Sequence, residues 1–212
     1  GGMTSLRRRK YRVLLVAVAI LVVVFPFLRF SAGTRVLLDA LYTLVFLIAF
    51  LAVFTDRRLR VVAVVLGVPT VFGVWTGYVL PGLGVPRPPL ALAFHALGAL
   101  FFGFTIGVIL RQLHREKGVS VDSVYGAFCG YLLVGLVFGN LYSILELLHP
   151  GSFRGEGFAG SPANDHHFLL TYFSFLTLTT VGYGDIIPAT DPARGLAVVE
   201  AVLGQFYIAV LG

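Results

Sequence analysis

Six stretches of this chain are too apolar and too long to sit on a water-facing surface. They are Val13–Leu28, Val36–Phe54, Val61–Leu80, Leu90–Leu110, Ser123–Leu145 and Gly195–Leu211. A hydrocarbon layer about 30 Å thick is crossed by about 20 helical residues. In lipid, only an element that satisfies its own backbone polar groups can span. Each stretch therefore reads as a transmembrane helix, and the fold class as an all-α membrane protein. Two of them carry a carboxylate, Asp39 near the start of the second and Glu200 inside the last. Val13–Leu28 lacks a small-residue cleavage site and has Pro26 and Arg29 instead, so it reads as a helix and not as a signal peptide. A seventh stretch, His166–Leu178, is too short to cross and suits a helix that enters the membrane and turns back. Charged residues make up 12% of the chain, against about 25% in a soluble domain, which agrees with this reading.

Charge sets the orientation. With a cytoplasmic N-terminus, the inside segments hold eleven cations: Arg7, Arg8, Arg9, Lys10, Arg12, Arg57, Arg58, Arg60, Arg111, Arg115 and Lys117. Arg29, Arg35, Arg87, Arg154 and Arg194 are the five left outside. The positive-inside rule favours this arrangement, a multi-pass protein of the plasma (inner) membrane. The net charge of +6 needs no nucleic acid. The run Arg7 to Arg12 is a topology anchor, with contact to anionic lipid headgroups as a second role. Gly1-Gly2 ahead of Met3 reads as a cloning remnant. Cys129 is the only cysteine, so no intrachain disulfide forms.

Between spans five and six lies Thr179-Thr180-Val181-Gly182-Tyr183-Gly184-Asp185. Gly182 and Gly184 permit backbone angles that other residues resist. This run resembles the selectivity filter of potassium channels, in which backbone carbonyls from four chains replace an ion's hydration shell. Gly118–Gly212 resembles the pore unit of the tetrameric potassium-channel family along its whole length: outer helix, turret, pore helix, filter, inner helix. Val124–Phe153 resembles the outer helix and turret start of prokaryotic members, including the turn Pro150-Gly151-Ser152-Phe153. The turret, His149–Asn164, shows little helical or strand pattern. Asn164 or Asp165 is a candidate cap for the pore helix. The negative C-terminal end of that helix favours a cation.

The resemblance implies ion binding at Thr180, Val181, Gly182, Tyr183 and Gly184. Potassium ions would lie at the carbonyls of Thr180, Val181, Gly182 and Tyr183, with no organic cofactor. It implies three identical partner subunits in a homotetramer. Tyr183 is expected to wedge the loop against its supporting helix, and Asp185 to cap the outer mouth. Pro188 starts the return. Thr179, Tyr172 and Glu200 join Asp185 as filter support. Gly204 falls at a hinge position of the inner helix, and Gln205, Ile208 and Gly212 at cavity-facing positions. One departure is Leu176, where some members carry a glutamate that bonds the aspartate after the filter. Asp185 needs another partner, and Tyr172 is the candidate.

The chain thus divides into a basic N-terminus (1–12), a four-helix membrane part (13–117) and a pore part (118–212). Four helices before a pore resemble voltage-gated channels, but a voltage sensor needs several cations within one span, since one charge contributes about 2.3 kcal/mol per 100 mV. Leu90–Leu110 contains no Lys or Arg; Arg111 and Arg115 follow it.

Among the remaining polar residues, Glu200 in mid-membrane is either cavity-facing or buried. About 140° of helical turn separates it from Gln205, which favours burial, with Thr177 or Thr179 hydroxyls or pore-helix backbone as partners. Asn140 and Glu146 read as interhelical or turret hydrogen-bonding residues, Asp39 as a neighbour of Arg35, and His95 as a hydrogen-bonded packing residue. His166-His167 points its two rings different ways, which argues against a metal site. Gly182-Tyr183-Gly184-Asp185 also fits the Gly-x-Gly-Asp pattern of intramembrane aspartyl proteases. Such an enzyme needs a second facing carboxylate in the membrane. No Tyr-Asp pair occurs in another span, so the chain does not read as an enzyme. A non-selective cation channel of the same fold would alter the filter after its second or third residue, and this sequence does not.

Overall fold

The computed structural model describes residues 2–24, 32–53, 57–79, 87–115, 120–155, 158 and 166–211. In chain order the elements are α1 (Gly2–Val24), α2 (Ala32–Val53), α3 (Arg57–Val79), α4 (Arg87–Arg115), α5 (Val121–Leu148), β1 (Phe153–Gly155), α6 (His166–Leu178), β2 (Ile186–Pro188) and α7 (Asp191–Leu211). Helices α2, α3, α4, α5 and α7 are long and apolar enough to cross a membrane. The chain is a membrane protein built on helices. For α1 the apolar part, Tyr11–Val24, is shorter than a full span, because the basic residues occupy its N-terminal half. Residues 25–28 of that expected span, with Pro26 and Arg29, lie outside the described residues, as do Phe54, Leu80, Lys117 and Gly212.

Helix α5 is the hub, packing against α1, α4, α6 and α7. Its start is a capping box, in which the side chains of Ser120 and Ser123 each accept from the other's backbone N–H. Its end is a bond from the His149 N–H to the Leu145 carbonyl, 2.8 Å, after which Pro150 cannot continue the helix. Glycines on α5 let partners approach. A Cβ at Gly135 would lie 2.6 Å from the Phe175 ring, and one at Gly139 would lie 2.6 Å from the Thr171 hydroxyl. Small residues at helix contacts are how membrane helices gain close packing without a hydrophobic drive.

Two buried clusters result. In one, Tyr42, Phe46, Phe101 and Phe102 of α2 and α4 pack edge and face, with Leu14, Leu133 and Leu136 around them. In the other, Tyr142, Phe153 and Phe173 form an edge-to-face triangle that joins α5, β1 and α6. Arg12 lies over the Tyr125 ring at 5.0 Å, so this member of the basic run contacts protein.

The pairing of β1 with β2 departs from the sequence reading, which had no strand in the turret. The two run antiparallel with Phe153 opposite Pro188, Arg154 opposite Ile187 and Gly155 opposite Ile186. Three residues are too few to show a strand's alternation. The pairing is made by tertiary closure, extended by the Ala189 N–H bonding the Ser152 carbonyl at 2.7 Å. The tight turn before β1 has Gly151 at φ +85. Glu146 stitches it to α5 by accepting from the N–H groups of Gly151 (2.8 Å) and Phe153 (3.1 Å). The candidate caps Asn164 and Asp165 lie outside the described residues.

Candidate functional site

Helix α6 occupies the same residues as the expected re-entrant helix and ends at Leu178. An α-helix leaves its last four carbonyls without intrahelical partners. All four are satisfied here, and the pattern shapes the loop that follows. The Phe175 carbonyl accepts from the Thr179 N–H at 3.0 Å and the Thr177 carbonyl from the Thr180 N–H at 3.0 Å. The Leu176 carbonyl accepts two, from Val181 (2.9 Å) and Gly182 (3.3 Å). The Leu178 carbonyl accepts from the Tyr131 hydroxyl of α5 at 2.8 Å.

With the amides of Val181 and Gly182 tied back to α6, the rest of each peptide is oriented. In a trans peptide the C=O points opposite to the N–H, and every described peptide is trans. The carbonyls of Thr180 and Val181 therefore point away from the helix. Backbone φ is positive at Thr180 (60), Gly182 (53) and Gly184 (80), three alternate positions. Alternating handedness turns successive carbonyls toward one side. Glycine takes such angles freely. Thr180 is β-branched, and its φ costs on the order of 1–2 kcal/mol, held by the surrounding bonds.

The support around this loop differs in part from the sequence reading. Tyr172 and Asp185 do meet, the hydroxyl donating to the carboxylate at 2.9 Å. Burial first, and then this bond, push the Tyr172 hydroxyl up to about 12. Leu176 fills the position of the absent glutamate and leaves Asp185 to Tyr172. Glu200 is fully buried, on the side of α7 that packs against α5 and α6. Its partners are not Thr177 or Thr179. Those hydroxyls bond back to the carbonyls of Phe173 and Phe175 one turn earlier. Ser174 of α6 and Tyr142 of α5 hold the carboxyl group instead.

Tyr183 also departs from expectation. The residue is 73% exposed and does not wedge the loop against α6 of its own chain. The whole run from Thr179 to Asp185 is exposed, as are Gln205 and Ile208 on α7. Gly204, read as a hinge, is buried against α6. A Cβ there would lie 2.8 Å from the Leu178 carbonyl oxygen, so the structure gives this glycine a packing reason. Among the described residues no group of three or more His, Cys, Asp or Glu side chains could hold a metal ion.

A polar cluster that the sequence reading left in pieces joins α2 and α4 to α5 and α6. Asn140 of α5 donates to the Tyr42 hydroxyl of α2 at 2.9 Å and faces His95 Nδ1 of α4 at 3.1 Å. Ser143 bonds His167 at the start of α6 at 2.9 Å, and the rings of His95 and His167 lie 4.8 Å apart. The signal in the sequence was a polar residue on each of several apolar helices. Which of them meet depends on helix rotation.

The comparisons agree with this architecture. The ion channel family matches residues 126–211, from α5 to the end of α7. The protein LctB of Bacillus caldotenax is 32% identical over 118 residues, which cover 54% of this chain and 82% of LctB. The voltage-gated potassium channel Kch of Escherichia coli is 30% identical over 99 residues, or 47% of this chain, and the match spans only 21% of Kch. No solved structure gives a significant match. With four-fifths of a 32%-identical relative covered and the family match running from α5 through α6 to α7, the chain belongs to the ion channel family.

Proposed function

We propose that four copies of this chain form a potassium-selective channel with one filter on the shared axis. Ions pass down their gradient and bind at the carbonyls of Thr180, Val181, Gly182 and Tyr183, with Gly184 completing the loop. The observation that carries this reading is the backbone of residues 180–184. The amides of Val181 and Gly182 are tied to α6 at the Leu176 carbonyl and that of Thr180 at Thr177, and φ is positive at alternate residues, a geometry suited to presenting a row of carbonyls to a dehydrated cation. One such row supplies one side of a coordination shell, so the remaining oxygens come from other copies. The exposure of Val181 (48%) and Tyr183 (73%) in the single chain supports the same assembly.

In this reading α1 completes a sixth span and the N-terminus is cytoplasmic in the plasma (inner) membrane. The basic run Arg7 to Arg12 lies at anionic headgroups, and no nucleic acid or organic cofactor takes part. Gln205 and Ile208 line the inner cavity. The test is flux of potassium against sodium into liposomes holding the purified protein, with chemical crosslinking of the same sample. Potassium-selective flux and a four-chain product are expected, with selectivity lost in Gly182→Ala. Equal sodium and potassium flux would replace the reading by a non-selective cation channel. Selectivity retained in Gly182→Ala would sink the filter assignment.

A further inference from the structure

We infer that Glu200 is held as a neutral carboxylic acid whose proton is donated to Ser174, making it the positioning residue that locks α6 between α5 and α7. Its importance for conduction rests on the channel reading above; its protonation does not. The inference follows from counting protons. Three oxygen–oxygen contacts run in series: Tyr142 hydroxyl to Glu200 Oε2 at 2.5 Å, Glu200 Oε1 to Ser174 Oγ, and Ser174 Oγ to the Gly135 carbonyl at 2.8 Å. Each needs one proton. Tyr142 brings one and Ser174 brings one. Carbonyl oxygen has none to give, and one Ser174 hydrogen shared between two acceptors would weaken both bonds; a full bond at each contact puts the third proton on Glu200.

Burial leads to the same place. Glu200 is 0% exposed, and no ion pair to it exists among the described residues. A charge left unpaired in such surroundings costs several kcal/mol, whereas the acid form meets hydrogen-bond partners at both oxygens. The titratable groups that face it are Tyr142 and Tyr131, both on α5. From α6 it meets Ser174, which does not titrate, and β2 (Ile-Ile-Pro) has no ionisable side chain. Tyr131 spends its proton on the Leu178 carbonyl.

The acid form gives a head-to-tail relay, Tyr142 to Glu200 to Ser174 to Gly135, in which each donor polarises the next. It passes from α5 to α7 to α6 and back to α5. Ser174 lies two residues before Leu176, whose carbonyl holds the amides of Val181 and Gly182. The relay thus fixes the part of α6 from which the exposed loop hangs.

Glutamine separates the two protonation states. Its amide reproduces the acid, accepting from Tyr142 and donating to Ser174, but it cannot accept from both as an ionised carboxylate would. Glu200→Gln is expected to assemble and to pass potassium within about twofold of the parent. Glu200→Leu, which removes both partners, is expected to lose oligomer at least about tenfold, one factor of ten being about 1.4 kcal/mol, within the usual penalty for buried polar groups left unpaired. The infrared spectrum of the parent is expected to contain a buried carboxylic-acid carbonyl band that Glu200→Gln removes and that Ser174→Ala shifts. No such band, a band indifferent to Ser174→Ala, or Glu200→Gln assembling as poorly as Glu200→Leu would each overturn the inference. If neither parent nor Glu200→Gln passes potassium, the conduction reading fails, while the infrared and assembly results still decide the protonation.

Discussion

Replacing Gly204 by alanine is the perturbation whose cost the structure sets most directly. The new Cβ would lie 2.8 Å from the Leu178 carbonyl oxygen and 2.9 Å from Leu178 Cδ1, where ordinary contact begins at 3.4 Å. Leu178 is the fully buried last residue of α6, and its carbonyl already holds the Tyr131 hydroxyl. Neither the oxygen nor the helix end can swing aside as a free side chain would. The inner helix must instead back away from α6 by roughly half an ångström, and overpacking of this kind costs about 1–3 kcal/mol per chain. Alanine also gains up to about 1 kcal/mol over glycine in a helix. Gly195→Ala on the same helix isolates that gain, since a Cβ there meets nothing within 4 Å. The thermal midpoint of the detergent-solubilised protein, followed by size-exclusion fluorescence, compares the two. Gly204→Ala is expected to be the less stable variant by about 1–3 kcal/mol per chain. In a Leu178→Ala background the penalty should shrink without vanishing, because the carbonyl contact remains. Equal stability of Gly204→Ala and Gly195→Ala would refute the packing account and return Gly204 to a hinge role.

Other consequences are testable with the same sample. Glu146→Ala should release the turn at Gly151 and Phe153 at a cost of about 1–3 kcal/mol, and amide hydrogen exchange at residues 153–155 should speed up while α5 stays protected. Asn140→Leu strips partners from Tyr42 and His95, each loss about 1–3 kcal/mol, and should loosen α2 and α4 from α5 before α5, α6 and α7 come apart, as read by limited proteolysis. The Tyr172 hydroxyl, raised from 10.0 to about 12, is favoured in its protonated form by the fold. Its contribution is present in full below the ordinary tyrosine value and is lost as pH rises through about 12. Stability against pH should therefore fall in that alkaline window, and Tyr172→Phe should remove that component. In planar bilayers the parent should show no steep voltage dependence, and neutralising Arg111 and Arg115 should change nothing, since Leu90–Leu110 carries no Lys or Arg to move through the field; steep opening that this neutralisation removes would refute the reading.

Hydropathy and length alone determined where the helices lie, because a backbone in lipid must close its hydrogen bonds within its own segment. His166–Leu178 could be recognised as a helix that does not cross for the same reason: thirteen residues are too few. The loop was legible too, since glycines two apart mark a backbone that alternates in handedness, as Gly182 and Gly184 do. Even the burial of Glu200 followed from its angle to Gln205. Its partners did not. Ser174 and Tyr142 lie 26 and 58 residues away, and helix rotation brought them in while Thr177 and Thr179 were occupied with their own helix. The same holds for the pairing of β1 with β2, for Asn140 between Tyr42 and His95, and for the contact of Gly204 with Leu178. Apolar periodicity specifies which residues enter a membrane. Among the buried polar groups, each of which must find a donor or acceptor, only the packed arrangement of helices decides which two meet.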